Sequence, residues 1–223
     1  MFVKVCGITN EEDALVAVAM GADAVGFVFA PSSRQIAPQR AGEIARRLPA
    51  EIVTVGVFHS ETRQRVIDIT HQARLRAVQL HGPGSPADGH WIRQRVPLLI
   101  RAFSAGDPRL DEADEYGADA IHVDSATPGS GEVFDWSLAE GAPSNRRIIL
   151  AGGLTPANVA DAIRVVRPWG VDVSTGVEAT PGRKDASKIR AFVEAAKAAE
   201  PPAPPAQGDR EVRPFDWMVD ERP

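Results

Sequence analysis

Eight short apolar runs of strand length recur along the chain, at 2–6, 24–29, 52–58, 77–81, 98–103, 120–124, 148–151 and 171–174. Segments of helical period stand between them, at 11–20, 38–48, 61–73 and 156–166, and a last one follows at 185–198. This alternation predicts a parallel sheet with helices packed outside it, because a parallel strand can return to the sheet only through a crossover. Eight such units are the number that closes a (β/α)8 barrel. The competing architecture is an open doubly wound sheet. It lacks support here, since no G-x-G-x-x-G turn follows the first strand. The expected fold class is therefore α/β: a single-domain TIM barrel.

Strand parity supports closure. Val3 and Val5 alternate with Lys4 and Cys6, Val78 and Leu80 with Gln79 and His81, Ile121 and Val123 with His122 and Asp124, and Val171 and Val173 with Asp172 and Ser174. Side chains alternate faces along a strand, so the aliphatic face is expected under the helices and the polar face toward the barrel axis. Polar groups at the C-terminal ends of barrel strands mark the face where barrel active sites lie. Helix signals include Thr155-Pro156 as N-cap and first helical residue, and Gly21 and Gly117 after helix ends. After Asp124 the chain turns rich in Gly, Ser and Pro, with room for a short helix near Trp136–Glu140.

Of the 223 residues, 43% are hydrophobic and 25% charged, enough for one sizeable core. The single cysteine excludes a disulfide framework and a cysteine-based structural zinc site. A net charge of −5 argues against a nucleic-acid surface, and no apolar run approaches the ~18–20 residues of a membrane span. The N-terminus lacks a signal-peptide pattern, so a cytoplasmic location is expected. Six of the 18 prolines lie in the last 24 residues, which also carry −3 of the −5. The expected division is a catalytic barrel at 1–199 and a flexible, acidic, Pro-rich tail at 200–223, too poor in apolar groups to offset the entropy of ordering.

Several rim residues could carry chemistry. Cys6 closes the first strand, beside Gly7. A lone cysteine is more often a small buried hydrophobe, but here it shares a face with Lys4. As a base it needs its thiolate favoured by a cation or helix N-terminus. Asp124 ends the sixth strand in the same inward sense and could be a general acid if its pKa is raised. Its competing role is to cap the following loop. One base and one acid across a cavity suit proton transfer within a substrate, an isomerisation. Gly152-Gly153 after the seventh strand and Ser174-Thr175-Gly176 after the eighth stand where barrels commonly bind phosphate through backbone N–H groups. Arg34, after the second strand, has a guanidinium fork that matches a carboxylate. Arg101 lies on the Leu99/Phe103 parity, where it could pair internally, for example with a carboxylate.

These residues together resemble the phosphoribosylanthranilate isomerase family of tryptophan biosynthesis. The matching strings are KVCGIT with EDA (4–14), GADAVGFVFAPSSRQI (21–36), VGVF (55–58), VQLHG (78–82), HVDS…PGSGEVFDW (122–136), LAGGLTPANV (150–159) and RPWGVDVSTGVEATPGRKD (167–185). The family performs an Amadori rearrangement of N-(5-phosphoribosyl)anthranilate without cofactor or metal. The resemblance implies Cys6 as general base at ribose C2 and Asp124 as general acid at the furanose oxygen. It further implies Arg34 as the holder of the anthranilate carboxylate, and Gly152, Gly153, Ser174, Thr175 and Gly176 as the phosphate cradle. The chain departs from the family at Pro128–Gly131, where GGTG is usual, and at Ser174-Thr175, where Ser-Ser is usual. The implied partner is the small phosphosugar–anthranilate substrate, with no nucleic acid and no membrane, and the protein is expected to be a monomer. Two other readings compete. A histidine-pathway aminoaldose isomerase would be expected to carry two aspartates at the rims of strands one and five or nearby, and the cysteine opposes it. A catalytically idle phosphate-binding barrel acting through its tail is favoured by the tail alone.

Overall fold

A computed structural model describes residues 1–125 and 146–199. The possible helix near Trp136–Glu140, the Pro128–Gly131 departure and the tail at 200–223 lie outside the described residues. Eight parallel strands close a barrel in sequence order: β1 (Phe2–Cys6), β2 (Ala24–Val28), β3 (Val53–Phe58), β4 (Ala77–Leu80), β5 (Leu98–Ser104), β6 (Ala120–Asp124), β7 (Arg147–Leu150) and β8 (Gly170–Val173). Closure is made by β1 against β8, with Lys4 opposite Asp172 and Val5 opposite Val173. All eight strands fall within a residue or so of their expected positions.

The helices outside are α1 (Glu11–Ala19), α2 (Pro38–Ala45), α3 (Arg63–Ala73), α4 (Pro86–Arg93), α5 (Val159–Val166) and α6 (Ala186–Ala198). Local chemistry starts them. Asn10 caps α1 by accepting from the Asp13 N–H at 2.9 Å, and Ser85 and Asp88 form a reciprocal capping box on α4 behind Pro86. The expected start of α5 at Pro156 is corrected: turns fill 156–158 and the helix begins at Val159 after Asn158. The Asn158 side chain, accepting from Thr155 N at 2.7 Å, draws the chain into a turn first. Between β5 and β6 two 3-10 turns, Pro108–Leu110 and Ala113–Tyr116, replace an α-helix.

The main core lies between barrel and helices, where Val3, Val5, Val25, Phe27, Val78, Leu99, Ile121, Val123, Val171 and Val173 meet residues such as Ala14, Ile44, Val66, Ile163 and Phe192. Burying each such large aliphatic or aromatic side chain is worth roughly 1.5–3 kcal/mol. The parity expectation holds on β1, β4, β6 and β8. On β3, β5 and β7, Val53, Val55, Val57, Leu98, Ile100 and Ile149 point inward and form a second cluster with Cys6, Ala24, Ala77 and Ala120. A closed barrel has no room for water along its axis. Apolar layers from these strands therefore fill the interior and surround the polar side chains of the other four.

Candidate active site

At the C-terminal ends of the strands a cavity of about 490 Å³ is lined by Cys6, Arg34, His59, Gln79, His81, His122, Asp124, Asp172, Gly152, Gly153 and Ser174–Gly176, among others. All eight residues singled out as site candidates in the sequence line it.

Cys6 ends β1 and is buried. It faces inward beside Lys4, and Gly26 on the paired strand makes space for both. A Cβ at Gly26 would lie 2.7 Å from the Cys6 Sγ and 3.2 Å from the Lys4 Cε. Lys4 is fully buried and donates to Asp172 Oδ2 at 2.9 Å. His122 Nε2 lies 2.9 Å from the same oxygen. Because a carboxylate only accepts, this nitrogen carries the proton. Burial opposes the charge on Asp172, but Lys4 and His122 together outweigh it and hold the carboxyl far below the usual range. Burial pushes the Cys6 thiol up, and the Lys4 ammonium is the largest pull the other way. Lys4 is thus the thiolate-favouring cation that the sequence left open, although burial outweighs it.

Asp124 stands at the end of β6. Its Oδ1 accepts from Ser125 N at 2.7 Å, so the loop-capping role exists. Its Oδ2 is 3.4 Å from His81 Nε2. Burial raises its pKa above the ordinary carboxylate value, against the pull of His122 and the Ser125 N–H. His81 is held neutral: burial first, then His122 and Lys4, lower its pKa to about 3. Gln79 Nε2 is 3.4 Å from His81 Nδ1. Among the described residues one trio, His81, His122 and Asp124, brings metal-capable atoms within 4.8 Å of one another. Two of its members are already engaged with each other and the third with Asp172.

Across the rim, Gly7 has φ +76°, and a Cβ there would meet the Arg34 Cδ at 2.6 Å, so the arginine stem lies over a position open to glycine. The Arg34 fork already grips a carboxylate of the chain itself. Nε donates to Glu178 Oε1 at 2.7 Å and Nη2 to Glu178 Oε2 at 2.9 Å. Nη2 also reaches Thr175 Oγ1 at 3.3 Å. Lys184, buried on the Glu178–Thr180/Arg183–Lys184 hairpin, donates to Glu178 Oε1 and the Ser174 carbonyl, both at 3.1 Å. Hydrogen bonding by Glu178 raises the Arg34 pKa, while burial lowers that of Lys184. Gly152 and Gly153 both have positive φ, +85° and +64°, a conformation in which successive N–H groups can converge on an anion. The 3-10 turn Thr175–Val177 faces them after β8.

Sequence reasoning missed Gln79, His81, His122, Asp172, Glu178 and Lys184 as parts of the site. Inward parity pointed to the first four, but nothing local marks the hairpin that carries Lys184 back to Glu178. Arg101 is outside this site. Buried on the outer face of β5, it donates to the Leu80 carbonyl at 3.2 Å and lies over the rings of Phe103 and Tyr116. The expected internal pairing is thus present, with a carbonyl and two rings; among the described residues no carboxylate bonds it.

The model of the N-(5'-phosphoribosyl)anthranilate (PRA) isomerase family matches residues 3–195. The N-(5'-phosphoribosyl)anthranilate isomerase of Desulforudis audaxviator is 48% identical over 204 residues, covering 88% of this chain and 98% of the relative. The crystal structure of phosphoribosyl anthranilate isomerase from Thermus thermophilus superposes with a TM-score of 0.83 at 40% identity, covering 89% of this chain and 99% of that one. A further isomerase structure, in complex with reduced 1-(o-carboxyphenylamino)-1-deoxyribulose 5-phosphate, gives 0.79 at 43% identity, with 89% and 99% covered.

Proposed function

Since the chain belongs to the N-(5'-phosphoribosyl)anthranilate isomerase family, we infer that it converts N-(5'-phosphoribosyl)anthranilate to 1-(o-carboxyphenylamino)-1-deoxyribulose 5-phosphate in tryptophan biosynthesis, with Cys6 as base and Asp124 as acid. The observation that carries the assignment of roles is that one buried thiol and one buried carboxyl, 118 positions apart, line the same cavity. In the first step the Asp124 proton goes to the furanose oxygen as the C1–O bond breaks, and the anthranilate nitrogen lone pair forms C1=N. The Cys6 thiolate then takes the C2 proton, and those electrons form C1=C2 and neutralise the nitrogen. Finally C1 gains a proton from the Cys6 thiol while the C2 hydroxyl returns one to Asp124, leaving the ketone and both groups reset. Protons balance and no electrons leave the substrate.

Charge complementarity supports the rest of the substrate pose. Gly152, Gly153, Ser174, Thr175 and Gly176 would take the phosphate. The Thr175 hydroxyl accepts from Arg34 and keeps its own proton to donate. Arg34, braced on Glu178, would meet the anthranilate carboxylate with its remaining Nη1. The one catalytic unit is residues 1–199, and its described surface exposes just two large apolar side chains, Leu15 on α1 and Val165 on α5, which supports a monomer. No described helix is long and apolar enough to cross a membrane.

Burial raises both the Asp124 carboxyl and the Cys6 thiol, and their ordinary values, ~3.9 and ~8.5, leave the carboxyl titrating first. The reactive pair of thiolate and carboxylic acid is then a minor form whose fraction is constant between the two pKa values. The kcat/KM profile is therefore a bell whose low-pH break follows Asp124 and whose high-pH break follows Cys6.

The test follows the loss of phosphoribosylanthranilate fluorescence in wild type, Cys6→Ser and Asp124→Asn. Each variant should lose at least ~10²-fold in kcat, the lower range of general acid–base contributions. Turnover retained in both would overturn the pair, and an inactive wild type that binds inorganic phosphate would favour an idle barrel.

A further inference from the structure

Gln79 is buried in β4 on the same inward face as His81. It offers two donors and one carbonyl oxygen, and that oxygen, Oε1, has no hydrogen-bond partner among the described residues. Its Nε2 stands 3.4 Å from His81 Nδ1, and His81 Nε2 stands 3.4 Å from Asp124 Oδ2. His81 is neutral near pH 7, so it has one ring N–H and one ring lone pair, and each must face a different neighbour.

Two arrangements satisfy this line. In the first the Gln79 amide N–H donates to His81 Nδ1, and His81 Nε2–H points at the Asp124 carboxylate. In the second the amide is turned over: Oε1 accepts from Nδ1–H, and the lone pair on Nε2 accepts the O–H of protonated Asp124. The first leaves Oε1 without a partner, as observed; the second leaves the amide N–H groups without one. Each arrangement leaves part of the Gln79 amide unpaired, so both orientations are open to it, and each fixes one tautomer of His81.

We propose that Gln79 is a positioning residue: the turn of its side-chain amide sets which nitrogen of His81 carries the proton, and so whether Asp124 is held as acid or as carboxylate. The inference rests on Asp124 acting as the acid. The second arrangement holds the neutral acid until its O–H turns from Nε2 to the furanose oxygen; once the proton has left, the first stabilises the carboxylate. Each exchange of tautomer releases the proton of one His81 ring nitrogen to cavity water and takes one up on the other, so no net proton is consumed. The other titratable groups facing the pair are Lys4 and Cys6 from β1, His59 after β3, His122 on β6 and Asp172 on β8.

The experiment compares Gln79→Met, Gln79→Glu and Asp124→Asn with wild type. Methionine offers Nδ1 no partner. A bare buried N–H is rarer than a bare acceptor, so the Nε2–H tautomer and the Asp124 carboxylate gain. The low-pH break of kcat/KM should move down by about half a unit or more, with the plateau falling by the matching factor of about three, and KM unchanged. Glutamate accepts from Nδ1–H and should move the break up. The 15N shifts of the His81 ring should report Nε2–H in Gln79→Met and Nδ1–H in Gln79→Glu, and thermal unfolding shows whether each variant is folded. Breaks that stay put or move together, or one His81 tautomer in all folded variants, would overturn the proposal. Activity retained in Asp124→Asn would instead remove the acid assignment on which it stands.

Discussion

Lys4 and Asp172 meet at 2.9 Å inside the barrel, 168 positions apart in the chain and directly opposite across the β1–β8 seam. The pair closes the barrel electrostatically at the strands where it closes topologically, and it sets the field beneath Cys6. Removing one partner of a buried pair strands the other charge. Lys4→Met is therefore expected to cost ~3–5 kcal/mol of stability, read as a lower urea midpoint with an unchanged slope. It should also raise the pH at which iodoacetamide alkylates Cys6, because the thiolate loses its nearest cation.

Gly26 permits the thiol to sit where it does. Gly26→Ala would place a methyl group 2.7 Å from the Cys6 Sγ, so the sulfur must move. Displacement of a reacting atom by ~1 Å can cost about 10²-fold in rate, whereas overpacking costs ~1–3 kcal/mol. The expected variant is folded by circular dichroism and depressed in kcat far more than in stability.

Stability should fall with acid well above the usual carboxylate range. The unfolded His81 takes a proton near its ordinary value of ~6.5, but the folded one resists until about pH 3. Its contribution is therefore complete above that unfolded value and is lost as pH falls toward the folded one, at up to ~1.4 kcal/mol per pH unit. Asp172 and Glu178, held low by their cations, act in the same direction at lower pH. Denaturant titrations between pH 7 and 4 on wild type and His81→Gln should diverge in slope; parallel curves would show that His81 does not carry the effect.

The last described helix, α6, ends at Ala198, and the barrel closes without anything beyond it. Deleting residues 200–223 should leave kcat, KM and thermal midpoint unchanged, and size-exclusion chromatography should show a single barrel before and after. A lower midpoint or altered elution would make the tail part of the folded unit.

The eight strands were readable because both determinants are local. A run such as 120–124 alternates apolar and polar residues with period two, and that pattern exists before anything folds. Cys6, Asp124 and the Gly152-Gly153 turn were readable for the same reason, since each ends a strand and the ends of parallel strands share one face. Asn158, by contrast, shifted the start of α5 through a hydrogen bond that competes with helix, and the sequence also favoured Pro156.

By itself, then, the sequence determined the strand count, the inward parity of Lys4, Cys6, Gln79, His81, His122, Asp124 and Asp172, and the rim on which chemistry is possible. Only the tertiary structure decided which inward groups pair: Lys4 with Asp172, His122 with that same carboxylate, His81 with Asp124, and Arg34 with Glu178. These partners come from different strands or loops, and barrel closure with its register brings them together. Periodicity states which face a side chain takes, while the energy of a buried charge depends on what stands within a few ångströms of it.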